Sequence, residues 1–143
     1  MLTYNSSCEN DTRSFAAEFA SKLHGGDVVA FTGGMGMGKT VFVSGCADVL
    51  GIETHVSSPT FSIVNDYGGK FNVYHFDMYR VESWDSLYST GFFDYLNENS
   101  ILFIEWSENI DNVLPENTIY VDFSRGENEN ERTITVHGGD GRW

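Results

Sequence analysis

At 143 residues the chain is long enough for one domain with a real core, and too short for a separate substrate domain beside it. Its 21 acidic residues against 8 basic ones leave a formal net charge of −13, so its own field opposes direct wrapping of RNA or DNA. Cys8 and Cys46 form no C-x-x-C pair and no disulfide framework, and neither a basic-plus-apolar leader nor a ~20-residue apolar span is visible. A soluble, cytoplasmic chain without membrane attachment is expected.

In chain order, the first predicted element is a helix from about Asp11 to Leu23, where Phe15, Phe19 and Leu23 recur at helical spacing before Gly25-Gly26 stops it. Val28 to Thr32 reads as a buried strand, followed by a glycine-rich segment and a helix from Thr40 to Leu50. Phe61 to Tyr67 and Phe71 to Asp77 read as two strands around Gly68-Gly69. A helical region, Trp84 to Leu96, precedes the continuous apolar run Ile101 to Ile104, whose pattern predicts a strand buried on both faces. Ile119 to Phe123 and Thr133 to Val136 complete a hairpin around the polar segment Gly126 to Glu131. The fold class that follows is α/β, a small mixed sheet flanked by helices in a single domain over 1–137, with 138–143 as a flexible tail.

The segment between the Val28 to Thr32 strand and the Thr40 helix, Gly33-Gly34-Met35-Gly36-Met37-Gly38-Lys39-Thr40, is a complete G-x-x-x-x-G-K-[ST] phosphate-binding loop. A strand-to-helix turn aims backbone N–H groups at phosphate oxygens, and glycines permit close approach and positive φ. Lys39 is expected to reach the β and γ phosphates and the Thr40 hydroxyl to sit on Mg²⁺. A nucleoside triphosphate is therefore the leading ligand. Guanine-reading enzymes resemble one another in an Asn-Lys-x-Asp element, and this chain has no Asn-Lys pair, so ATP is favoured over GTP.

Phosphoryl transfer also needs an acid at the end of a neighbouring buried strand to hold Mg²⁺ or its water. Asp77 and Glu105 both end predicted strands, and the alternative role for either is an N-cap or a surface ion pair. Ser57-Ser58-Pro59-Thr60-Phe61 is either a segment that orders around the γ phosphate or an ordinary turn. Arg80 is either a source of positive charge for the reaction or a partner, or a surface arginine. His75 is expected to be an in-sheet residue with its ring satisfied, since no second His or Cys stands at ligand spacing. Trp106 is either partly packed or, from its place beside Glu105, brought against a base or a partner.

Four segments together carry a resemblance: the phosphate loop, Ser58-Pro59-Thr60-Phe61, His75-Phe76-Asp77-Met78-Tyr79-Arg80 and Ile104-Glu105-Trp106-Ser107-Glu108. In order and approximate spacing, from about Glu9 to Arg132, they resemble the bacterial TsaE family, formerly called YjeE. These are small P-loop ATPases of tRNA threonylcarbamoyladenosine synthesis. The resemblance implies an ATPase that works with a TsaB–TsaD type complex, meeting tRNA only through those partners and not transferring the carbamoyl group itself. It also implies ATP and ADP contacts at Gly33, Gly34, Met35, Gly36, Met37, Gly38, Lys39, Thr40, Thr60 and Asp77. Thr40 and Glu105 would serve the metal, and Lys39, Glu105 and Asp77 the reaction. Glu9, Thr12 and Arg132 look like family positions close to the adenosine. Gly34 stands where the family often has an acid and Met37 where it usually has Ala or Ser, which bears on affinity more than on activity class.

The expected activity is Mg²⁺-dependent ATP hydrolysis, slow alone and accelerated by partners, because an arginine added from outside is worth ~10³ to 10⁵ in such systems. A small-molecule kinase shares the loop but needs an acceptor pocket and usually an arginine-rich lid, and the five arginines here are scattered. The third possibility is a nucleotide-dependent binding module that barely hydrolyses.

Overall fold

The computed structural model describes residues 1–34, 37–53, 56, 64–68, 71–79, 81 and 83–143. Among them run β1 (Leu2–Ser6), α1 (Glu9–Ala20), β2 (Val28–Thr32), α2 (Lys39–Ala47), β3 (Val64–Gly68) and β4 (Asn72–Asp77). α3 (Trp84–Ser89), β5 (Ser100–Glu105), β6 (Ile119–Arg125) and β7 (Arg132–Gly138) follow, with 3₁₀ turns at Phe92–Tyr95 and Ser107–Val113. The strands form one seven-stranded sheet in the order β1-β7-β6-β2-β5-β4-β3. Its centre, β6-β2-β5-β4, is parallel, and both flanks are closed by antiparallel partners.

Alternation along the central strands divides the core in two. Val29, Phe31, Val73, Ile101 and Phe103 face α1 and α2, where Phe15, Phe19, Phe42 and Cys46 meet them. Val28, Phe76, Leu102 and Ile104 face the other way, against Leu87, Phe92 and Ile110. β5 is buried along its whole length, as a continuous apolar run covered on both faces requires. Phe42 sits at the hub of the first layer, with ring centroids 5.1 Å from Phe19 and 5.7 Å from both Phe31 and Phe123.

The predicted architecture holds, with local differences. β1 was not expected from sequence; it pairs along β7 from Leu2↔Val136 to Ser6↔Arg132. The helical region read over Trp84 to Leu96 is split at Gly91 into α3 and the Phe92–Tyr95 turn. The strand expected from Phe61 begins at Val64, residues 61–63 lying outside the described residues. The segment 138–143, read as a flexible tail, packs onto the domain. Arg142 bonds Asp27 at 2.8 and 3.1 Å, and the Trp143 ring stacks on Phe19 at 4.7 Å. Burying an indole and pairing a buried carboxylate offset the entropy lost in ordering a glycine-rich end. Among the described residues, no helix is long and apolar enough to cross a membrane.

Candidate functional site

β2 runs into the glycine-rich loop at Gly33, and α2 leaves it at Gly38, so the sequence motif sits at a strand-to-helix turn in the sheet's parallel centre. Both glycines are required by the backbone. Gly33 has φ +116° and a side chain there would place its Cβ 2.6 Å from the Phe123 carbonyl; Gly38 has φ +97° as the residue capping α2. Gly34 is exposed, and Met37 packs partly against the core. Met35 and Gly36 lie outside the described residues, as do Ser57 to Phe61, including Thr60, and Arg80.

Lys39 opens α2 and is only 6 % exposed. Burial pushes its ammonium below the usual lysine value, and the carboxylates of Glu105, Glu108 and Asp77 pull it back up. Its Nζ lies 5.4 Å from the centroid of the Trp106 ring. Thr40 follows in the first helical turn, half-buried.

The two expected acids come together. β4 and β5 are parallel and in register, pairing Asp77 with Glu105 as the last residues of their strands. Glu105 is 8 % exposed, and Asp77 is half-buried with its Oδ1 accepting the Tyr79 N–H at 2.8 Å. Burial is the main cause that lifts the Asp77 carboxyl above the usual aspartate range. The Tyr79 N–H opposes it, Glu105 adds to it, and His75 and Lys39 counter it. Neither acid is a helix cap, since both end strands at the C-terminal edge where α/β sheets take their ligands.

The chain beyond β5 is fixed to this edge. Trp106 takes φ +58°, in the left-handed region, and turns the backbone into the Ser107–Val113 segment. Ser107 Oγ donates to the Phe31 carbonyl at 3.0 Å, and Asn109 Nδ2 donates to the Met78 carbonyl at 2.8 Å. The Trp106 ring lies 4.9 Å from that of Tyr79, which is 58 % exposed.

A cavity of about 110 Å³ opens on the other side of Gly38, lined by Cys8, Glu9, Thr12, Met37, Gly38, Val41, Asn130 and Arg132. The three residues read as lying near the adenosine, Glu9, Thr12 and Arg132, therefore share one hollow with the end of the loop. Thr12 is held by Ser6 at 2.7 Å, and Arg132 Nη1 donates to the carbonyls of Glu129 and Glu131 at 2.6 and 2.8 Å. Cys8, Val41 and Asn130 escaped the sequence reading, because nothing in a single sequence brings the start of α1 against the β6–β7 connection.

The donor set suits a hard divalent cation. The Thr40 hydroxyl and the Asp77 and Glu105 carboxylates offer oxygen donors, the kind such a cation takes, and a cation beside the in-register pair would relieve the unfavourable ionisation of Asp77. His75 is in the sheet and fully buried, with both ring nitrogens partnered, as the sequence reading expected.

Comparison with known proteins shows which family the chain resembles. The family model described as threonylcarbamoyl adenosine biosynthesis protein TsaE matches residues 6–134. The tRNA threonylcarbamoyladenosine biosynthesis protein TsaE of Rickettsia prowazekii is 40 % identical over 142 residues, covering 96 % of this chain and 94 % of that protein. Its namesake in Bacillus subtilis is 35 % identical over 130 residues, covering 90 % of this chain and 81 % of that one. The crystal structure of Bacillus subtilis YdiB superposes with a TM-score of 0.79 at 29 % identity, over 96 % of this chain and 84 % of that chain. On the family match and on relatives this similar over most of their length, the chain belongs to the TsaE family of threonylcarbamoyladenosine biosynthesis proteins.

Proposed function

We propose that this chain is a Mg²⁺-dependent ATPase that supports threonylcarbamoyladenosine formation on tRNA together with a TsaB–TsaD type complex. One observation supports this above the rest: Lys39, only 6 % exposed at a strand–loop–helix junction, faces the in-register acids Asp77 and Glu105. A buried ammonium is unfavourable unless it meets anions; the carboxylates supply some of that charge, and a triphosphate would supply more. In this reading Lys39 holds the β and γ phosphates, and the glycine backbone wraps them. The Cys8 to Arg132 cavity accepts the nucleoside end. Thr40 and Glu105 would hold Mg²⁺, which neutralises charge on the phosphate oxygens when bound. Asp77 stands at the same edge to steady the metal's water or the attacking one.

The chain's own charge points to a partner. With three lysines and five arginines it has little positive charge to bring to the reacting phosphate, so a partner completes the site. The net charge of −13 leaves tRNA to be held by that partner. A role on tRNA that consumes ATP fits a cytoplasmic location.

The test is in three parts. Calorimetric titration with ATP and Mg²⁺ is expected to show binding by the wild type and none measurable by Lys39→Ala. Phosphate release without any acceptor, stimulated by a TsaB–TsaD type complex, is expected for the wild type and reduced by on the order of 10² or more in Glu105→Gln, with ATP affinity retained. Multiple-turnover threonylcarbamoyladenosine formation should require the chain. Equal modification without it would remove the assignment, whatever the loop binds.

A further inference from the structure

Three buried side chains stand in line behind the acid edge, each from a different strand. The Tyr67 hydroxyl on β3 lies 2.9 Å from His75 Nδ1 on β4, and His75 Nε2 lies 2.7 Å from Glu105 Oε2 on β5. Exposure is 6 % for Tyr67, 0 % for His75 and 8 % for Glu105, so water does not compete for the two bonds. The bonding pattern sets a direction. A carboxylate oxygen accepts, so the Nε2–H of His75 donates to Glu105, while Nδ1 and the Tyr67 hydroxyl share the second bond.

Packing alone does not ask for this arrangement. Along β4, alternation puts Val73 and His75 on the face that carries Ile101 and Phe103, and an apolar residue at position 75 would suit that layer. An imidazole there is tolerated only because both nitrogens are bonded, and polar groups so placed are favourable only when satisfied. The effect falls on Glu105, whose free rotation about its side-chain torsions is removed at one oxygen.

We propose that His75, backed by Tyr67, is a positioning residue for Glu105. It fixes Oε2 toward the sheet interior and thereby directs Oε1 to the phosphate-loop side. The inference rests on the role given above to Glu105, and it adds a reason why the carboxylate is aimed before any nucleotide arrives. Preorganised groups of this kind lower the reorganisation needed in the transition state.

The experiment uses the full chain with its partner complex. His75→Leu is expected to lower partner-stimulated kcat by about 10- to 100-fold, the range for residues that orient a ligating side chain, while the ATP dissociation constant stays within about twofold. His75→Gln places an amide N–H where Nε2–H was and should recover most of the loss, and Tyr67→Phe should cause a smaller loss in the same direction. Combined with Glu105→Gln, His75→Leu should have no further effect on kcat, because the group it aims is already disabled. Separately from activity, ¹⁵N spectra of His75 are expected to show a protonated Nε2. Full multiplicativity of the double variant, no recovery in His75→Gln, or a proton on Nδ1 alone overturns the proposal. A wild type that hydrolyses no ATP even with its partner is a different failure, that of the ATPase reading, and the spectra still decide whether the relay exists.

Discussion

Asp77 and Glu105 are Cα partners at the ends of two adjacent parallel strands, so two carboxylates share one face of the sheet edge opposite the buried Lys39. Burial penalises the Asp77 charge most, and the like charge in register on Glu105 adds to the penalty; together they hold the Asp77 carboxyl above the usual aspartate range. The direction of the stability effect follows. A carboxyl whose pKa is raised on folding is penalised when ionised, so Asp77 lowers stability at neutral pH, and the penalty is relieved as pH falls through its raised value. Asp77→Asn is therefore expected to raise the melting temperature of the free protein by a few degrees at pH 7, with the advantage shrinking toward pH 4. Thermal unfolding across that range checks it, and a pH-independent gap would show that the pair is not the cause.

Much of the placement of the candidate site was legible in the sequence because its parts are local. The phosphate loop is contiguous, and a strand ending in an acid can be read from Ile101 to Glu105 alone. That both acids point to one edge also followed, since parallel strands present their C-terminal ends together. What could not be read was whatever depends on register between distant segments. Tyr67 reaches His75 only because β3 pairs antiparallel with β4 through Asn65↔His75, with the register shifting between Asp66 and Gly68. β1 was illegible for a related reason. Leu-Thr-Tyr-Asn-Ser has little apolar alternation, and it is a strand because β7 offers it a row of backbone partners.

The two cysteines offer a chemical probe of the cavity beside Gly38. Cys8 is exposed and lines the hollow beside Gly38, whereas Cys46 is fully buried and burial pushes its thiol far above the usual value. Thiolate is the reactive form, so iodoacetamide is expected to label one cysteine in the native protein and both in denaturant. If the cavity receives the nucleoside, saturating ATP with Mg²⁺ should slow labelling of Cys8 severalfold. Mass spectrometry of quenched samples reads both results, and an unchanged rate with bound ATP would place the nucleoside elsewhere.

The end of the chain should matter for stability and not for ATP. Asp27 is 1 % exposed and accepts from the His24 N–H at 2.8 Å and from Arg142 at 2.8 and 3.1 Å. Arg142 also donates to the Lys22 carbonyl at 3.1 Å, while Trp143 stacks on Phe19 under the Lys22 ammonium, 5.3 Å from the ring centroid. Removing the guanidinium leaves a buried carboxylate with one partner fewer, so Arg142→Met is expected to cost roughly 2 kcal/mol in urea unfolding. Asp27→Asn in the same chain should recover part of that, because the charge left unpaired is then gone, and the two losses should be clearly non-additive. Asp27 precedes β2, whereas the phosphate loop follows it, so the ATP dissociation constant should stay unchanged in both variants. An unshifted urea midpoint in Arg142→Met would mean that the Arg142–Asp27 contact adds nothing to the fold.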